Sequence, residues 1–91
     1  MSGKTEKRGG SKVIKKLIEM NKGEKGRVIS IHGGRGKILR LAEMGITPGE
    51  EIVLIQKSFG PVIIRVKDTN LALGKGLAET ILVEVSDNGK N

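Results

Sequence analysis

The stretch Arg40 to Ile55, RLAEMGITPGEEIVLI, constrains the fold most, because it holds a helix end, a stop, a turn and a strand start in succession. Leu41 and Met44 lie three apart and share one helix face, with Ile38 behind them. Gly45 suits the C′ position, where left-handed backbone costs glycine little. Ile46 then falls where a Schellman stop packs it back on Leu41. Thr47-Pro48-Gly49-Glu50 carries proline at i+1 and glycine at i+2, the signature of a type II turn. A strand from Glu51 to Gln56 follows.

Upstream, Ser11 to Met20 places Val13, Ile14, Leu17 and Ile18 at helical spacing, with Ser11 as a candidate cap, and predicts a short helix or turn. Glu24 to His32 is rich in β-branched residues and predicts the first strand, with Gly26 marking a bend or bulge. A glycine-rich loop then leads into a helix over Lys37 to Met44. Downstream, Pro61 to Lys67 forms a hairpin with the 51–56 strand across Lys57-Ser58-Phe59-Gly60, Gly60 taking the left-handed position. Pairing Gln56 with Val62 sets Leu54 opposite Ile64 and Ile52 opposite Val66 on the core face. The outer face receives Ile55 beside Ile63 and Val53 beside Arg65. A turn at Asp68-Thr69-Asn70, a short strand at Leu71 to Leu73, a helical turn near Leu77 to Glu79 and a last strand at Thr80 to Val85 complete the chain. Five short strands, one inserted α-helix and frequent glycine predict a mainly β, partly closed small barrel.

Length and composition set the outer limits. Ninety-one residues make one small domain. Residues 1–12 hold no aliphatic residue beyond Met1, and 86–91 read SDNGKN, so both are expected to be disordered tails around a domain spanning 13–85. Lys4, Lys7, Arg8 and Lys12 against Glu6 give the first tail +3 of the net +7. The domain itself is mildly basic, and nucleic-acid contact is expected to be weak and non-specific. The absence of cysteine excludes disulfide and thiolate chemistry. No apolar run approaches the ~20 residues needed to span a bilayer, and the basic N-terminus lacks the apolar segment of a secretory signal. A cytoplasmic location is the expectation.

Few residues offer chemistry. His32 to Lys37, HGGRGK, follows a strand and opens a helix, which suits an anion. A phosphate-binding loop of the Walker type needs glycine where Ile31 stands and Ser or Thr where Ile38 stands. The dinucleotide pattern fails at Leu39. His32 is the one imidazole and the carboxylates are dispersed, so no metal site, cofactor or catalytic set is expected within one chain. Phe59 is the sole aromatic residue, too little for an aromatic peptide groove or a base-stacking platform. At a hairpin tip it either anchors a partner or caps the barrel mouth. Ile55 and Ile63 on an outer face need cover, from Val13, Ile14, Leu17 and Ile18 or from another chain.

With these residues in hand, the chain resembles the ferrous iron transport protein A family, FeoA, from Leu17 to Val85. LIEMNKGEKGRVISIHG at Leu17 to Gly33, RLAEMGITPGEEIVLI at Arg40 to Ile55, PVIIRV from Pro61 and LAL from Leu71 carry the likeness, with Ala78 and Ile81 behind them. The resemblance implies an SH3-like barrel with a helix inserted after its first strand. It also implies a non-enzymatic cytosolic accessory of ferrous iron uptake, brought to the inner face of the membrane by the large transporter subunit that carries a GTPase domain. Ile55, Ile63, Arg65, Phe59, Arg35 and Lys37 are the candidate partner-binding residues, and a second copy of the chain is the other candidate occupant. Gly74 stands where the family carries a basic residue, with Lys75 next. Two other readings stay open: a KOW-like RNA-binding barrel, on Lys22 to Lys37, and a stand-alone relative of the C-terminal domain of iron-dependent repressors.

Overall fold

Alternate burial along three strands builds the core: Ile52 and Leu54, then Val62, Ile64 and Val66, then Ile81, Val83 and Val85 all point inward. The computed structural model describes residues 11–87. Among them six strands form one antiparallel sheet. They are β1 (Ser11–Lys16), β2 (Lys25–Ile31), β3 (Glu51–Gln56), β4 (Val62–Val66), β5 (Thr69–Leu73) and β6 (Ile81–Asp87). The spatial order is β1-β6-β2-β3-β4-β5. A 3-10 turn (Leu17–Glu19) follows β1, helix α1 (Arg35–Glu43) joins β2 to β3, and helix α2 (Lys75–Ala78) joins β5 to β6. The fold is mainly β, as expected, with one strand more than the five read from the sequence. The boundaries 13 and 85 fall inside β1 and β6, and the remainder of both expected tails lies outside the described residues.

The stop at the end of α1 forms as its residues dictate. The Ile46 N–H donates to the Leu41 carbonyl at 2.9 Å, and the Gly45 N–H to the Ala42 carbonyl at 2.9 Å, which is the Schellman pair. Gly45 has φ +88° and Gly49 φ +100°. The Glu50 N–H closes the turn onto the Thr47 carbonyl at 3.0 Å. The turn is pinned to β2 by Val28, whose carbonyl accepts from the Gly49 N–H and whose N–H donates to the Glu50 carbonyl, both at 2.8 Å. Gly45→Ala has room, its nearest neighbour being Val66 Cγ1 at 3.9 Å, so its cost is conformational. It is expected to lower stability by about 1 kcal/mol, read as a lower denaturant midpoint at unchanged m-value.

Several local expectations are corrected. Residues 11–16 form a strand, not a helix, paired with β6 along their length from Ser11↔Asp87 to Lys16↔Leu82. Adjacent β-branched Val13 and Ile14 suit an extended backbone, and only Leu17 and Met20 turn into the core. The β2 bulge lies at Ile29, not at Gly26: Val28 pairs Val83, and Ser30 pairs Leu82. In the β3–β4 hairpin Ile52↔Val66, Val53↔Arg65 and Leu54↔Ile64 form as expected, but Gln56 meets Ile63 because Ile55 is an extra, bulged residue. That bulge absorbs the irregularity assigned to Gly60, whose φ is not positive. The next turn is Lys67-Asp68 alone, with Lys67 at φ 57° and Val66 paired to Thr69. Helix α1 also starts two residues early, at Arg35, behind Gly34 as N-cap.

All of the expected core residues meet. Leu41, Ile46, Ile52, Leu54, Ile64, Val66 and Ile81 are buried in one cluster, and Met44 packs half-buried against it. Glu24 ties β1 to the segment before β2. Its carboxylate accepts from the Asn21 N–H at 2.8 Å and lies 3.2 Å from Lys15 Nζ. Partial desolvation raises its pKa, but the Asn21 bond and the Lys15 charge outweigh that and hold it below the usual carboxylate value. A depressed carboxyl stabilises the fold above its unfolded-state pKa, and this contribution fades as pH falls through the folded-state value.

Candidate partner-binding surface

Helix α1 holds to the domain by little. Leu41 is its one buried side chain, and every other residue from Arg35 to Glu43 is exposed. Ile38 is 40% exposed and Leu39 57% exposed. The spacing in sequence had set Ile38 behind the buried face. The longer helix, resting on Leu41, leaves it in solvent. Arg35, Lys37 and Arg40 share this helix with a single acid, Glu43. Among the described residues the ion pairs are Lys12–Glu84, Lys15–Glu24 and Lys67–Glu50, so the three α1 cations pair with none of them. Two exposed aliphatic side chains flanked by cations form an apolar spot with a basic border.

The hairpin residues are differently placed. Phe59 stands fully exposed at the β3–β4 tip and so caps nothing. Ile55 and Ile63 are half-buried, and Ile63 sits beside Ala72 across β4 and β5. Val13 and Ile14, offered as their cover, are themselves 40% and 59% exposed, while Leu17 is in the core. Arg65 faces outward and donates its Nε–H to Asn70 Oδ1 at 3.0 Å. The structure therefore brings Ile55, Ile63, Arg65 and Phe59 to one hairpin and places Arg35 and Lys37 on α1. Ile38 and Leu39 were missed as partner-binding residues. Their signal was present, since Ile38 and Leu39 are adjacent and a narrow helix stripe cannot bury both beside Leu41.

Chemistry of other kinds has little to work with. Ser30 Oγ, near the end of β2, lies 3.2 Å from Nε2 of exposed His32. Among the described residues no group of three or more His, Cys, Asp or Glu side chains could hold a metal ion. No helix among them is long and apolar enough to cross a membrane. Lys57 has a structural part: its ammonium donates to the Ile18 carbonyl at 2.9 Å, fastening the 3-10 turn to the end of β3.

This arrangement of strands and helices has relatives. The FeoA domain matches residues 15–85. The chain belongs to the FeoA domain family. A Methanocaldococcus jannaschii protein carrying the name Fe(2+) transport protein A is 43% identical over 73 residues, covering 80% of this chain and 89% of that one. A crystal structure of an iron uptake regulatory protein, FeoA, superposes with TM-score 0.77 at 39% identity, covering 80% of this chain and 99% of its own. A zinc-complexed FeoA from Stenotrophomonas maltophilia, described as a unique procaryotic SH3 domain protein, superposes with TM-score 0.66 at 27% identity, covering 76% of this chain and 88% of that one. The SH3-like architecture expected from the resemblance is the one the FeoA relatives share.

Proposed function

We propose that this chain is a non-enzymatic, cytoplasmic accessory of ferrous iron uptake that acts by contact with the membrane transporter subunit bearing a GTPase domain. Family membership over residues 15–85 and the name of the archaeal relative support the iron role. The single observation that carries the mode of action is the outer face of α1, where Ile38 and Leu39 are exposed beside Arg35, Lys37 and Arg40, which have no ion-pair partner among the described residues. Charge complementarity then asks for an acidic surface with an apolar centre on the partner. The hairpin face is the weaker candidate, because Ile55 and Ile63 are half-buried and Arg65 is already engaged by Asn70.

Calorimetric titration against the isolated cytosolic GTPase domain of the cognate transporter tests this. Saturable binding that weakens with ionic strength is the expected result. Ile38→Ser with Leu39→Ser is expected to weaken it at least about tenfold, equivalent to ~1.4 kcal/mol, while leaving the melting temperature close to that of the parent. Ile63→Glu should have the smaller effect on affinity. A larger loss from Ile63→Glu at unchanged stability would move the docking surface to the hairpin. Absence of binding by the parent chain would remove the contact altogether.

A further inference from the structure

Among the described residues strand β5 ends the sheet, and no strand pairs with its far edge. Its pairing with β4 is continuous, from Val66↔Thr69 to Val62↔Leu73, with no bulge. A two-residue loop makes Val66 and Thr69 a hydrogen-bonded pair, so bonded pairs recur at Ile64↔Leu71 and Val62↔Leu73. The N–H and C=O of Asn70 and Ala72 must then point away from β4. No backbone bond among the described residues receives them, and both residues are exposed. Natural edges are usually guarded by lysine, proline or a bulge. β1, at the other end of the strand order, carries Lys12, Lys15 and Lys16. β5 reads Thr-Asn-Leu-Ala-Leu, with no charge and no proline.

We propose that β5 is a pairing edge for β5 of a second copy of this chain, in an antiparallel arrangement about Ala72. The strand is self-complementary in that direction. With Ala72 opposite its own copy, the outer-face row Ile63–Ala72 continues into the same row of the second copy, and half-buried Leu71 comes beside Leu73. Asp68 precedes the strand and Lys75 follows it, so the two-fold brings each Asp68 to the end of the second copy that carries Lys75. A parallel arrangement would set like charges together. The contact gains main-chain hydrogen bonds at Asn70 and Ala72 and extends the sheet to twice its strands.

Sedimentation of the intact chain over a concentration series, up to on the order of 1 mM because so short an interface binds weakly, tests the proposal. The mean mass is expected to climb toward twice the monomer mass. The amides of Asn70 and Ala72 should gain hydrogen-exchange protection over the same range. Ala72→Pro, which removes the outward N–H, and Ala72→Lys, which guards the edge by charge, should each hold the chain at monomer mass. A monomer at every concentration would overturn the proposal. So would self-association that both variants leave intact, or concentration-dependent protection elsewhere with none at Asn70 and Ala72.

Discussion

Leu41→Ala is expected to lower the unfolding free energy by about 2–5 kcal/mol, a large share of what a domain of this size commands. Leu41 is the only α1 side chain fully removed from solvent. Its carbonyl also receives the Met44 N–H at 3.0 Å and the Ile46 N–H at 2.9 Å, and alanine would keep both bonds. The loss is therefore one of packing: the transfer of the removed methyl groups plus the void they leave against Ile46 and the rest of the cluster. Because no second buried anchor exists on α1, the void has little helix around it to collapse with. Urea denaturation gives the measure, with a shift in midpoint at constant slope. A cost below about 1 kcal/mol would mean that α1 frays from the domain without consequence, and that its exposed face is not presented on a fixed support.

The same helix shows how much of the molecule was legible beforehand. Its end was readable because each step from Gly45 to Glu50 has a local cause: a left-handed glycine, a back-packed Ile46, a Pro-Gly turn. The start was less so, since Gly34 caps with backbone alone and leaves no side-chain signature. Val13, Ile14, Leu17 and Ile18 misled for another reason. That spacing serves a helix and equally a strand followed by a 3-10 turn, and the long-range pairing of β1 with β6 decided between them. The fold class survived because alternation in 51–56, 62–66 and 81–85 is strong. The candidate surface was read in part. Lys37 was placed on the right helix and Arg35 on the loop before it, but exposure of both Ile38 and Leu39 depends on how few neighbours α1 has. Their adjacency shows that one of them must be exposed, but that both are is a tertiary fact.

Gly26→Val is the other substitution expected to act strongly, and it follows from the glycine whose role was misread. Gly26 is not at the bulge; it is buried in the middle of three strands, paired with Ile52 on one side and Val85 on the other. Its φ lies outside the left-handed range, so backbone freedom is not what the position needs. Space is. A Cβ there would stand 3.3 Å from Met20 Cε, 3.3 Å from Val83 Cβ and 3.4 Å from Val85 Cγ2. Met20 Cε is the end of a flexible side chain and can withdraw, so Gly26→Ala strains only against β6 and is expected to cost less than a larger side chain. Val83 Cβ is fixed to the backbone of β6, and two more methyl groups on a stiff χ1 have nowhere to turn. Gly26→Val should therefore destabilise by about 1–3 kcal/mol. Adding Met20→Ala separates crowding from other causes. If Met20 and the new valine compete for one space, the double substitution costs less than the two singles together, by more than the ~0.5 kcal/mol that independent sites show. Strict additivity would show that the strain falls on β6 instead, and that Met20 only borders it.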